Sequence, residues 1–225
     1  RRQRQMCIRD RPIEDHAVGL SLVIDMFNTH GPALADAGIR AIGHRVVQGG
    51  KYFDKAVLIT DEVEQIIENL IPLGPLHNPA HLKGIKVARE MFDVPNIAVF
   101  DTAFFQSLPN ESATYALNRD VAEKYQIRRY GAHGTSHQFV SGAVSELLGR
   151  DDLKQIVLHL GNGASASAVV AGKAVDTSMG LTPLEGLVMG TRTGDIDPAA
   201  VFHLSREAGM STVSYTHLTL PTTPY

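Results

Sequence analysis

Residues 156–177 read IVLHLGNGASASAVVAGKAVDT. Ile156–Leu160 is an apolar run of strand length that enters Gly161-Asn162-Gly163. Ser165–Val170 and Lys173–Thr177 then alternate around Gly172, which reads as a β-hairpin. Glycines at a strand end let backbone N–H groups approach a phosphate closely; a plain turn of small residues is the alternative. Just upstream, Ser136 is expected to cap a helix that ends at Gly149, a usual C′ residue. Helix, strand and hairpin in that order place the segment in an α/β protein with mixed sheets.

The same alternation continues outward. Ile39–Val47 and Ala56–Ile59 read as strands, and Ile97–Phe100 as a buried strand delivering Asp101. Asp61 with Glu64 is an N-cap signal for a helix to Leu70. Asn78-Pro79 opens a helix to Phe92, asparagine suiting the cap and proline the first helical position. A further helix is expected over Ser112–Tyr125, and Asp197-Pro198 caps a last one that stops at Gly209. The body opens on an amphipathic helix, Ile13–Met26, with no strand before it, so an internal fragment is expected.

Length and composition narrow the class. The chain has 225 residues, 44% hydrophobic and 20% charged, enough for a core and one to two domains. It has no apolar run of membrane-spanning length. A net charge of −3 argues against a nucleic-acid partner. The single cysteine, Cys7, forms no internal disulfide, and a cytoplasmic protein is the default. The first eleven residues hold five arginines and one acid; the last fourteen hold five threonines and no charge. Residues 1–11 and 212–225 therefore resemble translated adapter sequence, with a native basic arm as the alternative for the first. The sequence shows no secretory pattern there.

Six loops are unusually rich in Gly, Arg, Asp, Asn and His: GHRVVQGG (43–50), PLHNP (75–79), FDTAF (100–104), YGAHGTSH (130–137), HLGNGAS (159–165) and DTSMGLTPLEGLVMGTRTGDIDP (176–198). Ligands of open α/β sheets bind beyond the carboxyl ends of strands. No Walker A sequence and no dinucleotide fingerprint is present. Arg45 and Arg192 stand in glycine loops, beside Asp101 and Asp195 in the sequence pattern. Each guanidinium offers a donor fork matched to phosphate or carboxylate; a surface ion pair is the alternative for each. Asp101 suits Mg²⁺ or acceptor orientation, or an Asx turn closing the strand. His133 and His137 are four apart, but without HExxH a zinc site is not expected, and the two need not share a face. His16, His30, His81 and His203 are expected on helix surfaces. These residues together describe a Mg²⁺-dependent enzyme acting on a phosphorylated anion.

The order and spacing of GHRVVQGG, PLHNPAH, VFDTAF, RRYGAHGTSH, HLGNGAS and the 176–198 segment closely resemble the acetokinase family, over essentially Ile39–Met210. The resemblance implies an actin-like α/β fold of two ribonuclease-H-like domains, both incomplete here. Residues 12–104 would belong to an acyl-binding domain and 105–211 to a nucleotide-phosphate-binding one. It implies reversible, Mg²⁺-dependent transfer (Mn²⁺ in its place) of the ATP γ-phosphoryl group to acetate, or to propionate or another short carboxylate. An ATP-binding scaffold without transfer chemistry is the reading from another class.

By position, Arg45 and Arg192 match the arginines that grip carboxylate and phosphoryl. His133 matches the histidine that donates to the phosphoryl, and Asp101 the acid that positions the acceptor or the metal. Val47, Leu76, Ala132 and Pro183 match the acyl pocket. His159, Gly161, Asn162 and Gly163 match the nucleotide-phosphate loop. Gln48 and Phe105 stand where the family often carries histidine. The resemblance further implies a cytoplasmic homodimer serving acetyl-CoA biosynthesis. It also implies that an N-terminal Asn/Ser loop and a C-terminal adenosine site with a metal-binding glutamate are missing, so that this chain alone would not turn over.

Overall fold

The computed structural model describes residues 13–14, 16–31, 34 and 36–210. The two terminal segments singled out by composition, and Cys7, lie outside the described residues. Helix α1 spans His16–His30, shifted a turn toward the C-terminus from the expected Ile13–Met26. Strand β1 (Ile42–Val46) is shorter than the apolar run that suggested it, and β2 is only Val57–Leu58. Helix α2 covers Asp61–Asn69, and its cap is Thr60, whose hydroxyl accepts from the Val63 N–H; Asp61 is the first helical residue. Helix α3 spans Asn78–Met91 and β3 Asn96–Phe100.

β3 lies between β1 and β2, parallel to the first and antiparallel to the second. Both faces of β3 meet packed side chains, which is why Asn96–Phe100 reads as a nearly unbroken apolar run. Val46, Ile67, Leu70, Ile85, Ala98 and Phe100 form the core between this sheet and helices α2 and α3. Phe53 stacks on Phe100 with ring centroids 4.1 Å apart.

A 3-10 segment, Ala103–Ser107, leads from β3 toward the second sheet. The helix expected over Ser112–Tyr125 is instead two short ones, α4 (Asn110–Ala113) and α5 (Arg119–Lys124). Asn118 caps α5 by accepting from the Val121 N–H. A side chain that offers the backbone a new helix start also ends the previous one.

Helix α6 spans Gly134–Leu148 and closes on left-handed Gly149. Strands β4 (Lys154–Leu160), β5 (Ala164–Val170) and β6 (Lys173–Thr177) form the expected antiparallel meander. Phe104, Phe105 and Leu108 pack with Val157, Val169 and Ala174, so the 3-10 segment shares a core with the second sheet. Helix α7, Pro198–Ala208, is capped by Asp197, which accepts from the Ala199 N–H, and ends at left-handed Gly209.

Candidate active site

The parallel register of β1 and β3 sets Arg45 opposite Val99 and Val46 opposite Phe100. Both strands therefore end level, and the Asp101 N–H donates to the Val46 carbonyl at 2.9 Å. Arg45 thereby meets Asp101: its Nε lies 3.1 Å from both carboxylate oxygens and its Nη2 2.5 Å from Oδ2. The Thr135 hydroxyl donates to Oδ1 at 3.1 Å. Asp101 is 1% exposed, whereas the Arg45 side chain is 61% exposed. The hydrogen-bonded carboxylate holds the Arg45 pKa above its ordinary value.

As a candidate metal ligand, Asp101 has both carboxylate oxygens hydrogen-bonded, to Arg45 and Thr135. Among the described residues no group of three His, Cys, Asp or Glu side chains is placed to hold a metal ion, so the described side chains do not by themselves make up a Mg²⁺ site.

The loop 130–137 is stapled to the same strand end. The Gly134 N–H donates to the Asp101 carbonyl at 2.9 Å. A Cβ on Gly134 would fall 2.1 Å from that oxygen, so only glycine permits the approach. His133, not Ser136, is the residue at the head of α6, and its φ of +61° is left-handed. Such a conformation costs a non-glycine residue roughly 1–2 kcal/mol, and this strain aims the imidazole away from the helix.

The side chain of Ser136 instead reaches His159, with Oγ 2.9 Å from Nδ1. His133 stacks on His159 at 4.1 Å between centroids. His133 and His137 share one face after all: Nδ1 of the first and Nε2 of the second lie 2.9 and 2.7 Å from the Ser165 hydroxyl. Burial, and next the neighbouring His159, push His133 and His137 each down to about 4. Both are neutral at ordinary pH.

The long segment 176–198 is folded by its own contacts. The Asp195 carboxylate accepts from the Gly186 N–H at 2.8 Å, and the Asp195 N–H donates to the Gly186 carbonyl at 2.9 Å. Asp195 thus closes the loop instead of partnering an arginine. Glu185 is held by Arg129 at 2.6 Å and by the Tyr115 hydroxyl. Burial, with that bond to Glu185, raises Tyr115 to about 12. Arg192 donates from Nη1 to the Pro183 carbonyl at 2.9 Å, and burial lowers its pKa.

One cleft of about 340 Å³ collects these groups: Arg45, Val47, Ala132, His133, Pro183 and Arg192 line it, with His159, Gly161, Asn162 and Gly163 along one side. A Cβ on Gly163 would sit 3.1 Å from Arg192 Nη1 and 3.4 Å from His133 Cε1, so the phosphate-type loop abuts both. Leu76 is the exception among the expected pocket residues. Its side chain is 85% exposed and does not line the cleft.

Sequence reasoning passed over several residues. His77 and His81 line the same cleft. His81, expected on a helix surface, lies with Nδ1 3.3 Å from the Val47 N–H, placed to accept from it. Burial, then the charges of Arg192 and Arg45, lower His77. The available signal was the PLHNP loop itself, with α3 beginning immediately after His77. Asn78 is not the cap expected of it: buried, it accepts from the Gln48 N–H and donates to the Gln48 carbonyl, pinning the turn that follows Arg45. Gln48 and Phe105 serve structure: Gln48 closes on the Gly50 N–H, and Phe105 is buried edge-on to His137. His30 and His203 are exposed as expected.

Comparison with known proteins decides what carries this cleft. Residues 3–219 match the acetokinase family. The chain belongs to the acetokinase family. It is 57% identical over 207 residues to an acetate kinase of Corynebacterium efficiens, covering 91% of this chain and 52% of that protein. The acetate kinase of Corynebacterium glutamicum strain ATCC 13032 is 58% identical over 205 residues, covering 90% and 52%.

Among solved structures, a propionate kinase from Francisella tularensis superposes with a TM-score of 0.84 at 47% identity, covering 89% of this chain and 52% of that one. The acetate kinase of Porphyromonas gingivalis gives 0.85 at 41%, covering 93% and 54%. The chain therefore spans about half the length of the acetokinases it matches. Its fold is the actin-like α/β fold of those enzymes.

Proposed function

We propose that this chain carries the acyl- and phosphoryl-gripping part of an acetate kinase, which transfers the ATP γ-phosphoryl group to acetate, reversibly, giving acetyl phosphate and ADP. The supporting observation is the convergence of Arg45, His133 and Arg192 on one cleft. A carboxylate nucleophile already carries its charge, so it needs no strong general base. The barrier is repulsion between two anions and the charge spread over the equatorial oxygens of the transferring group. Fixed cations and N–H donors around that group lower it.

In this reading Arg45, aimed by Asp101, receives the acetate carboxylate and the transferring phosphoryl from one side. Arg192 receives the phosphoryl from the other. His133, neutral, donates a hydrogen bond to an equatorial oxygen. Val47, Ala132 and Pro183 receive the acyl methyl group. The backbone of Gly161–Gly163, with Asn162 and His159, receives the nucleotide phosphates. The first sheet and its helices then belong to the acyl-binding domain, and the second to the nucleotide-phosphate-binding one. The family resemblance extends the proposal to Mg²⁺ (or Mn²⁺) with ATP, and to a cytoplasmic homodimer in acetyl-CoA biosynthesis.

Propionate is the second reading. It is favoured by the small Ala132 in the pocket and by the 47% identity to a propionate kinase. One methylene is worth about 1–3 kcal/mol, so the two acids differ in degree. Calorimetric titration with acetyl and propionyl phosphate tests the function. Saturable binding that is lost in Arg192→Ala is expected. No binding of either compound by the wild-type chain overturns the proposal.

A further inference from the structure

Behind His133 lies a chain of three further polar side chains. Ser167 Oγ is 2.8 Å from His137 Nδ1, His137 Nε2 is 2.7 Å from Ser165 Oγ, and Ser165 Oγ is 2.9 Å from His133 Nδ1. Ser165, Ser167 and His137 are all buried, at 0, 3 and 0% exposure. Ser165 and Ser167 are two apart on β5, so their side chains leave the same face of the strand. His133 and His137 are four apart at the head of α6 and face them.

Each hydroxyl has one hydrogen, and a neutral imidazole has one N–H and one lone pair. One bond's direction fixes the next through each imidazole, and at each serine it does so because the buried O–H must find an acceptor. Among the described residues, Ser167 Oγ has His137 Nδ1 as its one hydrogen-bond partner. A buried hydroxyl hydrogen without an acceptor is costly, whereas an unfilled oxygen lone pair is less so. Ser167 thus donates to His137 Nδ1. His137 must then carry its hydrogen on Nε2 and donate to Ser165. Ser165 keeps a second lone pair, but its own buried hydrogen then has only His133 Nδ1 as an acceptor among the described residues, so Ser165 donates to it. The last hydrogen is left on His133 Nε2.

We propose that Ser167, His137 and Ser165 are positioning residues that lock His133 in the Nε2–H tautomer, making it a hydrogen-bond donor toward the cleft. The opposite direction would turn a lone pair toward an incoming phosphate, which repels it. The relay thus supplies the donor that the proposed function requires of His133 and rests on that reading for its purpose, though not for its geometry. It also explains why a buried histidine pair sits beneath a cleft that uses only one of the two rings.

Nitrogen-resolved imidazole spectra of the ¹⁵N-labelled chain near neutral pH test the relay. His133 and His137 are each expected to show a protonated Nε2 and an unprotonated Nδ1, without averaging. A proton on Nδ1 of either ring overturns the proposal. Ser165→Ala cuts the chain, and His133 is then expected to show averaged nitrogens of mixed tautomers; Ser165→Thr, which keeps the hydroxyl, should restore the single form. A His133 that stays wholly Nε2–H in Ser165→Ala also overturns the relay. If Ser165→Ala does not fold, the wild-type spectrum still decides. Adding acetyl phosphate separates the two claims. A shifted His133 Nε2 resonance supports both, and the expected tautomers with no response to the ligand uphold the relay while overturning the function.

Discussion

Arg45 and Asp101 form a one-sided pair: a carboxylate that is 1% exposed holds a guanidinium that is 61% exposed. The carboxylate is neutralised from within and further satisfied by Thr135. The arginine keeps an open edge toward the cleft. The pair compensates a buried charge, and it also fixes where the positive charge points.

Asp101→Asn keeps the shape and removes the charge. Arg45 then loses its anchor and samples other rotamers. Misplacement of a gripping group by about 1 Å can cost on the order of 10²-fold. Acetyl phosphate affinity of this chain, and kcat/KM in an acetokinase carrying the same change, are expected to fall on that scale. Unchanged affinity would show that Arg45 is aimed by something else.

Arg192→Ala removes the second cation. An arginine stabilising a transferring phosphoryl contributes about 10³-fold or more, so in a full-length acetokinase carrying this change turnover is expected to collapse with the fold intact by circular dichroism. Arg192→Lys should recover little of it, because a lysine lacks the planar fork. Near-unchanged kcat in either variant would remove Arg192 from the mechanism.

His133 is pushed down to about 4 by burial and by His159. It is therefore neutral throughout pH 5–8, and it acts as a donor without titrating. In a full-length acetokinase, His133→Ala should lower kcat by about 10²–10³, the cost of one lost oxyanion donor. In the wild type, an acidic limb set by this group falls near pH 4 and not near 6.5. A limb centred near 6.5 that disappears in His133→Ala would contradict the neutral-donor role.

The same two depressed histidines give stability an acid dependence. Between pH 6.5 and 4 the unfolded chain binds protons that the folded His133 and His137 refuse. Stability therefore rises with pH across that window and is lost as pH falls through it. Melting temperatures measured from pH 7 to 4 should fall steadily, and His137→Gln should flatten that slope. A slope unchanged by the substitution would assign the acid sensitivity to other groups.

Gly163→Ala and Gly134→Ala should differ in kind. At Gly163 the new methyl meets the far end of the Arg192 side chain at 3.1 Å, which can swing away. Folding should survive while anion affinity drops. At Gly134 it meets the Asp101 carbonyl at 2.1 Å, and backbone must move, so a large loss of melting temperature is expected. Equal melting temperatures for the two variants would refute this reading of the loop.

Much of this molecule was legible in residue order. Local signals suffice for the meander over 154–177, because alternation and the turn at Gly172 act between neighbours in sequence. The caps at Asp197, Gly149 and Gly209 are local in the same way. Glycine-rich loops at strand ends announced an anion site, and the long segment 176–198 announced the family. Spacing also gave wrong answers. Asn78 and Ser136 look like caps, but each side chain finds a stronger distant partner, Gln48 and His159. The Ser112–Tyr125 pattern hid a break at Asn118. Leu76 matched a pocket position yet faces solvent.

Residue order by itself thus determined the class of the fold and singled out the loops from which the proposed function was read, since each depends on propensities and patterns within about a dozen neighbours. Only tertiary structure decided that Asp101 holds Arg45. It alone decided that Asp195 closes a loop, that His81 turns to the cleft, and that His133 and His137 share the Ser165 hydroxyl. Apart from the Asp195 closure, which spans 9 residues, those outcomes depend on which polar groups find partners across 28 to 56 residues of chain, a competition settled by packing and invisible to local sequence.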